Sequence, residues 1–333
     1  MMRTGAATFA AFFASLGVGG ALVRWRNWLP LMDHPNVRSS HSKPKPRSGG
    51  IAIAAGLAAA CVVLRPDIGA LAVAGAGFFI LGLADDLRPV PEAVRLVAQV
   101  FLAWLAVRGT GLEVGALGLP LGGGGALRGE GPAILWIVGF VNIFNFMDGL
   151  DGFALAKAVL GGLALFVLGR GAWLPVIAAA AGGLLVLNFP PARIFLGDGG
   201  SYLLGFALAT ACLVRRPDAP FVAFVLPFAS FLVDETLTLS RRVCAGEKWY
   251  KAHRSHFYQR ATNLGLSHRT IMTGDSALTL ACSLAALGYL HWEAPPMRWA
   301  ILFGVLATLA VPVLVISVSE GPRPREDEPR RTA

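Results

Sequence analysis

The sequence predicts an all-α polytopic membrane protein of about eleven transmembrane helices, with its N-terminus outside and its C-terminus in the cytoplasm. Three observations lead there. Hydrophobic residues make up 55% of the chain, charged residues only 15%, and the mean hydropathy is +0.61; a soluble domain carries about 25% charged residues. Apolar runs recur at about the 17–20 residues that one helix needs to cross the hydrocarbon of a bilayer. Lys and Arg are unevenly shared between alternate loops, and that bias sets orientation. The 40 glycines suit helices that pack closely in lipid.

The first run, roughly 5–23, has only Arg3 before it and Arg24-Trp-Arg26 after it, so it reads as an uncleaved anchor rather than a signal peptide. A Pro-rich, basic loop follows and feeds the second run, 49–65, at Gly49-Gly50. The third, 68–84, ends directly on Asp85-Asp86, and the fourth, 92–108, carries Arg95 near its start. An outer loop, 109–130, holds the run Gly122–Gly125; without a following Lys-Ser/Thr this is a flexible turn and not a phosphate-binding loop. The fifth run, 131–147, leads into an Asn- and Asp-rich stretch, and the next three are 153–169, 172–189 and 201–214. The ninth, 219–239, leads into a basic loop over 241–269, and the last two are 270–290 and 298–318. Residues 1–320 thus form one integral membrane domain, and the Pro- and charge-rich 321–333 a disordered cytoplasmic tail.

With the N-terminus outside, 21 of the 29 Lys and Arg fall on the inner side. The net charge of +9 follows from those loops and suits an anionic leaflet or phosphorylated substrates. No basic stripe is interleaved with exposed aromatics, which argues against nucleic acid. Cys61, Cys212, Cys244 and Cys282 show no paired spacing, so neither disulfides nor a zinc site is expected.

Ionised carboxylates are expensive near hydrocarbon, yet this chain gathers five at the ends of its apolar runs, all on the predicted inner face. Asp85 and Asp86 could cap a helix, bind a divalent cation or take a proton. Asn142, Asn145 and Asp148 recur every three residues and share a face if the fifth helix continues through them. Gly149 and Gly152 then allow a tight turn that Asp148 and Asp151 bracket. Asn oxygens and carboxylates are hard ligands suited to Mg²⁺ or Mn²⁺. Asp198 sits in Gly197-Asp-Gly-Gly-Ser201, with glycines that allow close approach of a ligand. In the basic loop His253 and His256 flank Arg254 at helical spacing, a set suited to an anionic pyrophosphate. Asp33 to Gly50, with Arg38 and His41, reads as a basic wall beside the acids or as a linker. A transporter would place its acids near the midplane between repeats; here they lie at one face and no repeat is visible.

These motifs, in this order over residues 33–260, resemble the polyprenyl-phosphate N-acetylhexosamine-1-phosphate transferases of glycosyltransferase family 4. The matching pieces are Arg38-x-x-His41…Pro46-x-x-Gly49-Gly50, Asp85-Asp86, Asn142-x-x-Asn145-x-x-Asp148-Gly-x-Asp151-Gly, Phe195-Leu-Gly-Asp198-x-Gly-Ser201 and His253-Arg254. Arg38-Ser-Ser-His41 with Ala252-His-Arg-Ser-His256 looks most like the O-antigen-initiating branch. The chain departs from the family where many relatives carry a third acid, at Pro89, and it lacks the three-histidine cluster of the peptidoglycan branch, which argues against a muramoyl-pentapeptide substrate.

The resemblance implies transfer of a sugar-1-phosphate from a UDP-N-acetyl sugar to undecaprenyl phosphate at the cytoplasmic face of a bacterial inner membrane, with release of UMP. It implies Mg²⁺, for which Mn²⁺ can substitute, held by Asn145 and Asp198. It also implies that Asp148 and Asp151 position the uridine and that Asp85 or Asp86 deprotonates or orients the lipid phosphate. Arg95, His253 and Arg254 would neutralise phosphates, with Arg38, His41, Asn142 and His256 also at the substrates. The partners implied are the lipid bilayer and the two substrates; a homodimer is compatible with this, and which sugar is transferred stays open.

Overall fold

The computed structural model describes residues 2–26, 31–33, 44–64, 69–117, 119, 129–213, 220–247 and 255–319. The basic wall residues Arg38 and His41, the Gly122–Gly125 turn, the pair His253 and Arg254 and the C-terminal tail lie outside them.

A helix stands at each of the eleven apolar runs. In chain order they are α1 (Met2–Arg24), α2 (Gly49–Leu64), α3 (Gly69–Leu87), α4 (Glu92–Thr110), α5 (Glu130–Phe146), α6 (Phe153–Val167), α7 (Leu174–Asn188) and α8 (Gly197–Cys212). The ninth run is broken: α9 (Phe221–Val225) passes through a 3₁₀ turn at Leu226–Phe228 into α10 (Ala229–Cys244). Pro227 lies in that turn and has no N–H to continue an α-helical ladder. The short α11 (Phe257–Asn263), inside the basic loop, has no counterpart among the predicted runs and precedes α12 (His268–His291) and α13 (Pro295–Ser319). A two-residue antiparallel ladder pairs β1 (Met32–Asp33) with β2 (Lys45–Pro46).

The described residues are predominantly α-helical, and the molecule is a membrane protein of the all-α class. Among the described residues, six helical segments are long and apolar enough to cross a bilayer: α1, α3, α4, the 221–244 segment, α12 and α13. The helices α2, α5, α6 and α7 are apolar but shorter, at 16, 17, 15 and 15 residues. At 1.5 Å per residue they reach about 23–26 Å, short of about 30 Å of hydrocarbon.

The core forms around α8. Every residue of α8 except Asp198 is buried, and α8 packs against α2, α3 and α5. Small residues allow this. A Cβ on Gly82 of α3 would fall well inside contact distance of the Asp198 carbonyl oxygen, and one on Gly50 of α2 would meet the backbone nitrogen of Gly200. Three helices therefore touch backbone to backbone at the end of α8 that carries Asp198.

Two sequence expectations change. The eighth helix starts at Gly197, not at 201, so Asp198 lies in its first turn rather than ahead of it. Lys157, counted among the inner basic residues, does not report a leaflet. Its side chain is fully buried in α6 and its Nζ lies 2.9 Å from Asp275 Oδ2, donating also to Ser230 Oγ (2.7 Å) and Thr279 Oγ1 (2.6 Å).

Gly77 and Gly82 lie on the same helix, and an added Cβ clashes at both. At Gly77 it meets only the tip of Leu102, which can turn aside; at Gly82 it meets the backbone of α8. Gly82→Ala is expected to cost about 2 kcal/mol or more and Gly77→Ala less than about 1 kcal/mol. Thermal unfolding in detergent reads this as a clearly larger drop in Tm for Gly82→Ala; equal drops would mean that the α3–α8 approach is loose.

Candidate active site

α3 ends on Asp85-Asp86 close to where α8 begins. The first backbone N–H groups of any helix lack partners within it, and for α8 a carboxylate from α3 supplies them. The N–H of Asp198 donates to Asp86 Oδ1 and that of Gly199 to Asp86 Oδ2, both at 2.9 Å. The helix dipole favours a negative charge there. Asp86 thus caps a helix, though a different one from its own.

Arg47 completes the arrangement. Its Nε lies 2.9 Å from Asp86 Oδ1 and its Nη2 lies 2.6 Å from Asp198 Oδ1. Its backbone is held to α8 by neighbours: Phe195 N–H donates to Pro46 O (2.8 Å), Gly49 N–H to Phe195 O (2.9 Å) and Gly50 N–H to Leu196 O (2.8 Å). Burial alone would lower the Arg47 pKa, but the carboxylates of Asp198 and Asp86 outweigh it and hold the guanidinium charged well above its ordinary range. Sequence reading missed Arg47; the signal was its place inside Pro46-x-x-Gly49-Gly50.

The second acid of the pair is held separately. Asp85 Oδ2 accepts from Arg95 Nη1 at 2.5 Å and Asp85 Oδ1 from Val90 N–H at 2.7 Å. One turn along α4, Gln99 Oε1 accepts from Asn142 Nδ2 at 2.7 Å. Asn145 faces α8 instead, where its Oδ1 accepts from Ser201 Oγ at 2.5 Å; that hydroxyl also lies 3.2 Å from Asp198 O. Asn142 and Asn145 are thus both at the C-terminal end of α5, one turned to α4 and one to α8.

The turn after α5 presents Asp148. Gly149 lies beneath Tyr258, whose hydroxyl donates to Phe146 O at 2.9 Å and leaves no room for a Cβ on Gly149. Gly152 has φ +76°, which the tight turn into α6 requires. Burial pushes the Asp148 carboxyl well above the usual range, and the charges of Asp198, Asp86 and Asp151 add to this against the opposing Arg47. Its carboxylate makes no hydrogen bond among the described residues.

Asp151 is already engaged. Its Oδ2 accepts from Ala192 N–H at 2.9 Å and lies 3.6 Å from His268 Nδ1 and 3.9 Å from Lys45 Nζ. Burial would raise its pKa, but these partners outweigh burial and hold it below the usual range. Lys45 and His268 were not singled out from sequence.

His256 is the N-cap residue of α11. It is buried, stacks on Tyr258 (5.5 Å between centroids) and sits 3.4 Å from both Asp234 Oδ1 and Glu235 Oε2 of α10. Asp234 also accepts from the N–H groups of Phe257 (2.9 Å) and Tyr258 (3.0 Å). These two acids fix the start of α11 and seat Tyr258 over Gly149, so His256 supports the site from behind. The signal was available: adjacent acids inside an apolar run are costly and call for a reason.

Asp86 and Asp198 bind the Arg47 guanidinium, and Asn145, Ser201 and Asp148 are further hard oxygen donors at the same ends of α5 and α8. That donor chemistry fits a divalent cation such as Mg²⁺. Among the described residues no three acidic, His or Cys side chains converge as a ready metal cage. Mg²⁺ is commonly held by one or two carboxylates with substrate phosphates completing the shell.

Comparison with known proteins identifies the family of the chain. Residues 68–215 match the family model described as Glycosyl transferase family 4. The chain is 31% identical over 267 residues to the probable undecaprenyl-phosphate N-acetylglucosaminyl 1-phosphate transferase of Bacillus subtilis (strain 168), covering 72% of this chain and 71% of that one. It is 28% identical over 313 residues to the decaprenyl-phosphate N-acetylglucosaminephosphotransferase of Mycobacterium leprae (strain TN), covering 80% and 77%. It is 32% identical over 189 residues to the undecaprenyl-phosphate alpha-N-acetylglucosaminyl 1-phosphate transferase of Thermotoga maritima, covering 55% and 56%.

The raised pKa of Asp148 has a sign that can be tested. The unfolded chain gives up this proton at lower pH than the folded protein, so ionisation costs stability. The cost is absent below about pH 4, the ordinary carboxylate value, and grows as pH rises through it. Asp148→Asn should therefore melt a few degrees above the wild type at pH 7–8, with the two curves converging toward pH 4. A variant no more stable at pH 8 would contradict the account of this carboxyl.

Proposed function

From a chain that belongs to glycosyl transferase family 4, we propose an enzyme that transfers N-acetylhexosamine-1-phosphate from a UDP-sugar to undecaprenyl phosphate and so starts a lipid-linked glycan. The observation that carries this reading is the gathering of Asp85, Asp86, Asp148 and Asp198 with Arg47 and Arg95 at the ends of α3, α5 and α8. Phosphoryl transfer asks a protein mostly for positioning and charge neutralisation, and this set offers both. The names of the three relatives favour UDP-N-acetylglucosamine as donor; other UDP-N-acetyl sugars, and O-antigen as the glycan, remain within the proposal.

The membrane arrangement belongs to the same reading. Eleven spans, N-terminus outside, would turn the carboxylate cluster to the cytoplasmic face of a bacterial inner membrane. There a polyprenyl phosphate head group and a cytosolic nucleotide-sugar can meet.

In the reaction an oxygen of the lipid phosphate forms a bond to the β-phosphorus of the UDP-sugar. The bond from that phosphorus to the bridging oxygen breaks, and UMP leaves with the electron pair. Arg95 neutralises the lipid phosphate, and Asp85, oriented by Arg95, accepts its proton when it carries one. Asp86 holds α8 and Arg47 in place. Asp148, which makes no hydrogen bond among the described residues, faces the nucleotide, and Asp151 fixes the turn behind it with Lys45 and His268. A Mg²⁺ ion held by Asn145 and Asp198 would stabilise charge on the pyrophosphate. His253, Arg254, Arg38 and His41 are assigned to the remaining phosphate charge by the sequence motif alone.

Purified protein with undecaprenyl phosphate, Mg²⁺ and a panel of UDP-N-acetyl sugars should release UMP, most with UDP-N-acetylglucosamine, and EDTA should stop it. Asp198→Asn should lower turnover by about a hundredfold or more, the scale of losing a charge that stabilises a transition state. No UMP with any donor, together with substrate uptake by proteoliposomes, would replace this reading with a transporter.

A further inference from the structure

The carboxylate assigned to a divalent cation, Asp198, already holds a cation, and it belongs to the protein. Arg47 spans Asp86 and Asp198 at 2.9 and 2.6 Å, and the Asp198 oxygen it occupies is one that a metal ion would take. The backbone of 46–50 is fastened to 195–196 by three hydrogen bonds, so the root of the side chain is fixed. The side chain itself is 39% exposed, which leaves it a way out. Asp86 has other partners in the N–H groups of Asp198 and Gly199 and keeps them if Arg47 leaves. The arm that reaches Asp198 is the exchangeable one.

A site that empties after each turnover has a charge problem. Asp85, Asp86, Asp148 and Asp198 lie close together beside lipid, and unpaired buried carboxylates are costly. Arg95 answers Asp85. Arg47 answers the other side of the cluster.

We propose that Arg47 is a resident counter-cation that competes with the divalent cation for Asp198 and gives way when the cation arrives with a nucleotide pyrophosphate, which offers the guanidinium a new anion. The inference rests on the cation assignment made under Proposed function. It has a consequence opposite to that of an ordinary substrate-binding arginine. With Arg47 seated, the affinity for the cation is reduced by the fraction of molecules in which Asp198 is free. Removing Arg47 should tighten cation binding.

The test uses full-length protein in detergent and Mn²⁺ as the probe, with free Mn²⁺ read by electron paramagnetic resonance. Without nucleotide, Arg47→Gln should bind Mn²⁺ about tenfold or more tightly than the wild type, with Arg47→Lys between them. Arg95→Gln removes an equal charge that pairs with Asp85, and should change the affinity by less than about threefold. Adding UDP should narrow the gap between Arg47→Gln and the wild type. If both Arg47 variants stay within about threefold of the wild type, or if Arg95→Gln has the same effect as Arg47→Gln, the proposal is wrong while the cation assignment stands. If Mn²⁺ binds none of these proteins, or binds Asp198→Asn as well as the wild type, the cation assignment itself fails, and this proposal with it.

Discussion

One carboxylate organises this molecule. Asp86 of α3 accepts the free amide hydrogens of Asp198 and Gly199 at the start of α8 and at the same time binds Arg47. A helix buried along nearly its whole length cannot leave its first N–H groups without acceptors, because water does not reach them. α8 begins on glycines and has no side-chain cap of its own. The cap comes from another helix, so α3, α8 and the 45–50 segment are fixed to one another at the point where Asp85, Asp198 and Arg47 must meet. The glycine contacts follow from this: α3 can bring Asp86 to α8 only if Gly82 has no side chain.

The same economy shapes the other half of the site. Asp234 and Glu235 hold the start of α11, which puts Tyr258 over Gly149 and fixes the turn carrying Asp148. Deeper in the bundle, Lys157 ties α6 to Asp275 and Thr279 of α12 and Ser230 of α10, while Ser230 donates to Asp275 at 2.6 Å. Buried ion pairs give uncertain net stability, but an ammonium with three oxygens around it tolerates little sliding of these helices. Polar groups are used here as fasteners because apolar packing between helices in lipid has no hydrophobic drive behind it.

What could be read from sequence follows from cost. In a chain with so few charges, carboxylates at the ends of apolar runs stand out, and Asp85, Asp86, Asp148 and Asp198 are found together in the fold. The apolar helices show as runs because hydropathy is a local property. Arg47 was hidden for the opposite reason: it sits in a Pro-rich segment that reads as a linker, and its partner Asp198 is 151 residues away. The main partners of Asp86 are backbone amides, which no side-chain pattern reveals. Asp234 and Glu235 disappear into the average of an apolar run, and Lys157 counts with the inner basic residues because one positive charge near a helix end looks the same whether it points to water or to a buried acid. His256 carried the right motif but faces the α10 acids, and spacing alone does not tell which side of a histidine meets ligand.

The dependence of α8 on Asp86 can be measured directly by hydrogen exchange in detergent over the peptide spanning Phe195–Ser201, compared between Asp86→Ala and Asp85→Ala. Loss of the Asp86 carboxylate should speed exchange of the Asp198 and Gly199 amides by about tenfold or more, which corresponds to about 1.4 kcal/mol. Asp85→Ala, which removes an equal charge one residue away, should leave that peptide as protected as in the wild type. Unchanged protection in Asp86→Ala, or equal loss in both variants, would contradict the claim that this carboxylate holds the site together.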